Sequence, residues 1–458
     1  METDEHRRRT GPTRRLDQIS AVSLDRNRAL DHESSILSHV NAAEIRAIGP
    51  AEQTQSSTDL FVIFVGANVV ATTLQVGASL SASFTVSRAI GLVGIGSVAG
   101  AALVAVLAPL GSRLRVPSII AARPALGIRG AALVAVVLYV SNFAWIALNN
   151  VIAASAVTRA IGGAGSSAGL ATSSTAWAIF LGLVATAIVW RGPRTVARAD
   201  RVAVPMLLIV AVALTIACLH ASPAANPAPH VPMSWWRGLD VVIGYQVSWI
   251  LMFADYSRYT RSSRGSATAV FLGLALTSLW MMPLGAMAAN AAGTSDPGAM
   301  MSAVGLGAAG ALLLAIATLT TNFVNIYMSA LAWKSLMPGA SDSAVVWSIG
   351  IVGTALSALP GVWLEHYTNF TVALAALLVP VGGVLVAHYY LQQVRMDEAF
   401  IKSLYDERGP FRGVLVPGIA AWVAGAVAFY AAGSIGGTLP ALAVSVVVYL
   451  ALNHAHRS

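Results

Sequence analysis

Twelve apolar stretches, each close to the length that crosses a hydrocarbon layer, follow one another through this chain and dictate what it can fold into. A helix rises 1.5 Å per residue and the layer is roughly 30 Å thick, so one crossing needs about 20 apolar residues. The stretches fall near residues 59–80, 89–110, 131–156, 174–190, 202–221, 239–255, 268–290, 309–332, 344–360, 369–391, 414–432 and 437–453. Lipid offers no partner to a backbone amide, so such stretches predict helices. The composition agrees: 56% of the 458 residues are apolar and 10% are charged, against about 25% charged in a soluble domain. The expected fold class is an all-α polytopic membrane protein with twelve transmembrane helices, and a soluble globular fold is excluded.

The net charge of +8 would suit a nucleic-acid binder, but its placement follows a membrane rule instead. With the N-terminus inside, the even-numbered connections should collect Lys and Arg. They hold sixteen, including Arg113, Arg115, Arg123 and Arg129 after the second stretch and Arg191, Arg194, Arg198 and Arg201 after the fourth. The odd-numbered connections hold three, Arg88, Arg159 and Arg237. Both termini are therefore expected in the cytoplasm, and no nucleic-acid partner is expected. The first 57 residues lack the apolar core of a signal peptide, so the first stretch would act as its own insertion signal. Arg7, Arg8, Arg9, Arg14 and Arg15 then read as a cytoplasmic tail. Arg outnumbers Lys 26 to 2 and Ala and Gly abound, which suggests a GC-rich bacterial genome and a bacterial plasma membrane. The lone Cys218 closes disulfide and zinc-cluster readings.

Matched irregularities at a constant offset point to an internal repeat. Gly66-Ala67-Asn68 interrupts the first stretch and Gly244-Tyr245-Gln246 the sixth, with Asn68 and Gln246 separated by 178 residues. Asn149 in the third and Asn325 in the eighth are 176 apart. Such an offset covers five helices, an odd number, so the second copy would be inserted upside down. The expected organisation is a cytoplasmic tail over 1–57, a first five-helix repeat over 58–232 and its inverted partner over 233–392. Residues 393–458 would form a cytoplasmic loop and two further helices.

Polar side chains far from the ends of such stretches are costly unless they face a cavity or a partner. They are Asn68, Thr72, Thr73 and Gln75; Asn142, Asn149 and Asn150; Gln246 and Ser248; and Thr318, Thr320, Thr321, Asn322 and Asn325. No charged residue sits mid-stretch, which argues against a carboxylate proton relay. Amides and aromatic rings suit a neutral planar solute with donors and acceptors on its edges, as a nucleobase has. Trp145 lies four residues before Asn149, so ring and amide share one helix face; packing or lipid contact is the alternative for Trp145. The hydroxyls of Thr320 and Thr321, with unwound backbone near Gly66 and Val69, could coordinate sodium. The alternative for both threonines is a bond to the carbonyl four residues back.

Several motifs carry no chemistry. Gly165-Ser166-Ser167-Ala168-Gly169 fits a serine-hydrolase elbow and Gly305-Leu306-Gly307-Ala308-Ala309-Gly310 a dinucleotide fingerprint, but no strand precedes either. Gly96 and Gly100 read as a close helix contact. With Lys334 and Lys402 the only lysines, no phosphate-binding loop exists. No enzyme activity and no organic cofactor are expected.

The chain carries Asp59-Leu60-Phe61 and Phe64-Val65-Gly66-Ala67-Asn68 in the first stretch and the specific segment Ala254-Asp255-Tyr256-Ser257-Arg258-Tyr259 closing the sixth. Thr320-Thr321-Asn322 with Asn325-Ile326-Tyr327, and Val379-Pro380-Val381-Gly382-Gly383-Val384-Leu385, complete the set. With these the chain resembles the purine-cytosine permease family of nucleobase:cation symporters. The resemblance implies a LeuT-type fold: five-plus-five inverted repeats, discontinuous first and sixth helices, and alternating access. It places Trp145 as the ring that stacks on the solute and Asn149 as the group that bonds its edge. Asn325, with Asn322, would contact the solute from the eighth helix, and Asn68 and Gln246 add polar edges from the first and sixth. A sodium ion would take Gly66, Val69, Ala317, Thr320 and Thr321. Gln246 stands where relatives often place an aromatic ring. His388, in Ala387-His388-Tyr389, stands where they often carry Asp; it reads as an interfacial residue, with a proton-coupling role as the alternative. Asp255 beside Arg258 reads as an ion pair at a helix end.

The expected function is import of a nucleobase, cytosine or a purine, by symport with sodium or a proton. The alternatives are a carrier of another planar amide-rich solute such as allantoin, a hydantoin, uracil or thiamine, or an uncoupled facilitator or channel.

Overall fold

The computed structural model describes residues 46–162, 173–220, 231–337 and 339–457. The basic tail through residue 45 and the Gly165–Gly169 segment lie outside the described residues. Among the described residues the regular structure is helical, apart from an isolated bridge between Gln55 and Thr260.

Helix occupies each apolar stretch. The first holds α1 (Ser57–Asn68) and α2 (Ala71–Leu80); the second holds α3 (Val86–Ala105) and α4 (Ala108–Leu114). After the short α5 (Ser118–Leu126) come α6 (Ile128–Gly162), α7 (Ser174–Trp190) and α8 (Pro193–His220). The sixth stretch is divided into α9 (Trp235–Val247), a 3₁₀ turn (Ser248–Met252) and α10 (Phe253–Ser257). Then follow α11 (Ser263–Ala292), α12 (Pro297–Ala303), α13 (Gly307–Leu336), α14 (Asp342–Leu356) and α15 (Pro360–Glu365). α16 (Tyr367–Val386) continues as a π-helical turn (Ala387–Leu391), before α17 (Glu398–Ser403), α18 (Val416–Ala431) and α19 (Thr438–Arg457). Among the described residues, five segments are individually long and apolar enough to cross a membrane, and α1 with α2 makes a sixth.

The two interruptions fall later than the glycines suggested. Gly66, Ala67 and Asn68 are helical, and the chain leaves the helix at Val69 (φ −82°, ψ 71°) and Val70 (φ −137°, ψ 161°). α1 and α2 are bent by 56° there. Thr73 Oγ1 donates to the Asn68 carbonyl at 2.5 Å, satisfying a group that the break frees. Gly244, Tyr245 and Gln246 are likewise helical, with the irregularity at Ser248–Met252. α1 starts cleanly: the Asp59 amide donates to Ser56 Oγ at 3.1 Å, and the Ser56 amide to Asp59 Oδ2 at 2.9 Å. Such a capping box stabilises a helix start by about 1 kcal/mol.

The helices sort into two polar-fastened groups. In the first, α1 and α3 pack on α11 and α9 packs on α3; Asn68 Nδ2 of α1 donates to Thr277 Oγ1 at 2.7 Å and Ser278 Oγ at 2.8 Å of α11. Gln246 Nε2 donates to the same Ser278 Oγ at 3.0 Å. Ser112 at the end of α4 joins α11 through Ser266 at 2.9 Å and α10 through the Ser257 carbonyl at 3.2 Å. α2 lies so close to α11 that a Cβ on Gly77 would sit 1.7 Å from the Met282 carbonyl oxygen, and one on Gly285 1.9 Å from that of Leu74. Gly96 and Gly100 make the close face expected of them, against Val242 and Gln246 of α9. In the second group, α6 crosses α13, and Asn322 Nδ2 donates to Asn150 Oδ1 at 2.7 Å and to the Ile146 carbonyl at 3.3 Å. Asn150 reaches on to Ser357, just beyond α14, at 3.5 Å.

Large apolar side chains face outward from many helices, among them Val98, Val140, Ile209 and Val447. The buried interior is also largely apolar, with amides and hydroxyls such as Asn68, Thr73, Gln246 and Asn322 set into it.

Candidate functional site

Where the two groups meet, a cavity of about 390 Å³ lies between α1, α6, the broken sixth segment and α13. Its lining runs from Thr72, Trp145, Asn149 and Tyr245 at one end to Val62, Tyr256 and Met328 at the other. Among the described residues, no Asp, Glu, Lys, Arg or His lines it. Its polar groups are neutral: Asn142 and Asn149 of α6, Asn325, Thr320 and Thr321 of α13, Thr72, Ser248 and the Tyr rings.

Trp145 closes one end. Its indole meets Tyr245 edge to face at 5.7 Å and Phe370 at 4.9 Å between ring centroids. Behind these rings Tyr245 Oη pairs with Thr73 Oγ1 at 2.6 Å, and Tyr367 Oη donates to the Thr72 carbonyl at 2.8 Å. Trp145 is thus held between two rings and lines the cavity. Asn149, 1% exposed, donates its Nδ2 to the Trp145 carbonyl at 2.8 Å, and its buried Oδ1 has no hydrogen-bond partner among the described residues. A buried amide oxygen without a donor forfeits about 1–3 kcal/mol, which a ligand N–H would restore.

The sequence-predicted site residues divide. Trp145, Asn149 and Asn325 line the cavity. Asn68, Gln246 and Asn322, all 0% exposed, lie outside its lining, and their amide nitrogens bond within the helix groups described above. The reason is rotational: each residue along a helix turns about 100°. Ala67, Tyr245 and Thr321 face the cavity, so Asn68, Gln246 and Asn322, one residue later, point at neighbouring helices.

Gly66, Thr320 and Thr321 also line the cavity. Thr320 Oγ1 donates to the Ala317 carbonyl at 2.8 Å and Thr321 Oγ1 to the same carbonyl at 3.3 Å. Both hydroxyls therefore bond back along their own helix, the alternative weighed from the sequence. Ala317 packs with Val70 and Leu207, so the break after Val69 adjoins this turn of α13. Val69 and Ala317, expected beside Thr320 and Thr321, are not among the residues that line the cavity.

Sequence reasoning assigned no role to the Tyr245 ring, to Phe370 or to Asp240. Asp240 is 4% exposed and accepts from the Gly437 amide at 2.8 Å, the Thr438 amide at 3.1 Å and Thr438 Oγ1 at 2.7 Å, capping α19 from α9. His388, read as interfacial, is 6% exposed and pairs through Nδ1 with Tyr449 Oη of α19 at 2.7 Å, away from the cavity lining. Asp255 Oδ2 accepts from Ser118 Oγ of α5 at 2.6 Å, a partner that local sequence does not reveal.

The model of the family described as permeases for cytosine/purines, uracil, thiamine and allantoin matches residues 47–450. The cytosine permease of Escherichia coli (strain K12) is 28% identical over 180 residues, 39% of this chain and 41% of that protein, so the alignment spans less than half of its length. YxlA of Bacillus subtilis (strain 168), named as a candidate purine-cytosine permease, is 22% identical over 395 residues, 81% of this chain and 83% of that one. Among solved structures, Mhp1, a nucleobase-cation-symport-1 family transporter, matches in a closed conformation with bromovinylhydantoin bound. The TM-score is 0.72 at 17% identity, covering 90% of this chain and 94% of that one. Its inward-facing conformation matches with a TM-score of 0.72 at 18% identity, over 90% and 95% of the two chains. These likenesses establish a shared LeuT-like fold, and the named relatives are permeases rather than enzymes. A family model that spans nearly all of the described chain, over a fold with two broken helices around a neutral cavity, makes this a multi-pass membrane protein of the cytosine/purine, uracil, thiamine and allantoin permease family.

Proposed function

We propose that the chain imports a nucleobase, cytosine or a purine, across a bacterial plasma membrane by sodium symport. Its twelve spans would carry both termini in the cytoplasm, with the outward-facing apolar side chains meeting lipid. The spans would form inverted repeats over 58–232 and 233–392, followed by two further helices. The observation that carries this reading is the neutral cavity lined by Trp145, by Asn149 with its unpaired Oδ1, and by Asn325. An aromatic face stacks on a base for about 1–3 kcal/mol, and amides bond its edge. The absence of a carboxylate from the lining disfavours a cationic solute such as thiamine.

Sodium is favoured over a proton by the carbonyls of Gly66, Val69 and Ala317 with the hydroxyls of Thr320 and Thr321, since no titratable carboxylate or imidazole faces the cavity. The cavity reaches Val62 and Tyr256 near the start of α1 and the end of α10, the ends assigned to the cytoplasm, while Trp145, Phe370 and Tyr367 close the opposite side. This arrangement corresponds to the inward-open state. Binding of ion and solute to the outward-open form, followed by rocking of the α1, α3, α9 and α11 group against α6 and α13, would complete the cycle. Coupling requires each ligand to favour one state by a real difference in affinity.

Calorimetric titration of the purified protein with cytosine, adenine, hypoxanthine, uracil and allantoin, in sodium and in choline chloride, tests the reading. One base binding more tightly in sodium supports it. Binding of no base in either salt contradicts it.

A further inference from the structure

Asn142 is the one amide of the cavity that neither the helix groups nor the assignments above employ. It is 6% exposed, lines the cavity, and has no side-chain hydrogen bond among the described residues. Asn142, Trp145 and Asn149 follow one another at i, i+3 and i+7, so all three present to the same face of α6. The two amides lie about 10 Å apart along the axis, with the indole between them.

Their hydrogen-bonding states differ. Asn149 has committed one Nδ2 hydrogen to the Trp145 carbonyl, and its Oδ1 is left without a donor. A ring N–H is the partner that this oxygen lacks. Asn142 has both donor and acceptor uncommitted. A ring lying on Trp145 would therefore meet a fixed acceptor at one edge and an adaptable amide at the other.

We infer that Asn142 is a specificity-determining solute contact, and that Asn142 and Asn149 form a two-ended clamp that selects planar rings with an N–H at the Asn149 edge and a polar group at the opposite edge. This rests on the proposed nucleobase reading and adds what that reading lacks, a second edge contact and the polarity of the first. Rings polar on one edge only leave the Asn142 amide desolvated and unpaired, which disfavours them. Pyrimidine and purine bases carry polar groups on opposite edges and satisfy both ends.

The test is a cycle between protein and ligand, read as Kd by calorimetry. The probes are whichever of cytosine, uracil and hypoxanthine binds the wild type most tightly, and its N-methylated analogues, each with one N–H blocked. Asn142→Leu is expected to weaken binding of the parent base about tenfold. One analogue, itself about tenfold weaker on the wild type, is expected to bind wild type and Asn142→Leu alike, because the contact it has lost is the one the variant lacks. Asn142→Gln, which keeps the amide, should retain most of the affinity. If Asn142→Leu does not fold, Asn142→Thr takes its place in the cycle. Parent-base affinity unchanged in the variant, or losses that add for every analogue, would overturn the clamp while leaving the nucleobase reading intact. A wild type that binds none of the bases would instead overturn that reading and the clamp with it.

Discussion

Asn322 Nδ2 donates to Asn150 Oδ1 at 2.7 Å across the crossing of α13 and α6, so the amide beside the Thr320-Thr321 pair fastens two helices instead of facing the cavity. Asn322→Ala would leave the Asn150 oxygen buried without this donor, at a cost of about 1–2 kcal/mol. The expected result is a lower unfolding temperature in detergent with an unchanged order of preference among bases. A changed order with undiminished stability would return Asn322 to the solute site.

Asn325 lies three residues further along α13 and lines the cavity. Asn325→Ala should weaken nucleobase binding about tenfold or more without a comparable loss of stability. Equal base affinity in wild type and variant, measured by calorimetry, would remove Asn325 from the site.

Thr321 supplies a hydroxyl on the side of α13 that meets the break in the first segment. Thr321→Ala should raise the sodium concentration needed for half-maximal base binding while leaving affinity at saturating sodium close to that of the wild type. An unaltered sodium dependence in both Thr321→Ala and Thr320→Ala would refute the cation site.

The Asp240 cap predicts a purely structural phenotype. Its three hydrogen bonds hold the start of α19 against α9. Asp240→Ala should destabilise the protein by about 1–3 kcal/mol, and Asp240→Asn, which keeps one acceptor oxygen, by less. Unfolding midpoints of the two variants check the order.

The positions of the helices were legible because lipid imposes both length and composition on a span. The cavity residues Trp145 and Asn149 were legible because one helix face repeats every three to four residues. Asn68, Gln246 and Asn322 were misdirected for a local reason: each directly follows a residue that faces the cavity, and a one-residue step turns a side chain by about 100°. A helical wheel carries part of the signal, since Thr320, Thr321, Val324, Asn325 and Met328 share a face that excludes Asn322. The breaks at Val69–Val70 and Ser248–Met252 were displaced from the glycines because Gly66 and Gly244 serve other needs. Gly66 borders the cavity, and Gly244 lies where a Cβ would come 1.9 Å from the Thr371 carbonyl oxygen. The Asn150–Asn322, Asp240–Thr438 and Asp255–Ser118 pairs join residues more than 130 positions apart, which no local pattern reveals.

The central claim is coupled transport of a base, and uptake by proteoliposomes measures it most directly. Vesicles holding the purified protein would be given radiolabelled cytosine, adenine, hypoxanthine or uracil under an imposed sodium gradient, a proton gradient, or neither. The account predicts concentrative uptake of one base that collapses when the sodium gradient is removed. Uptake that only equilibrates whatever gradient is imposed, or no uptake of any base by folded protein, would contradict it.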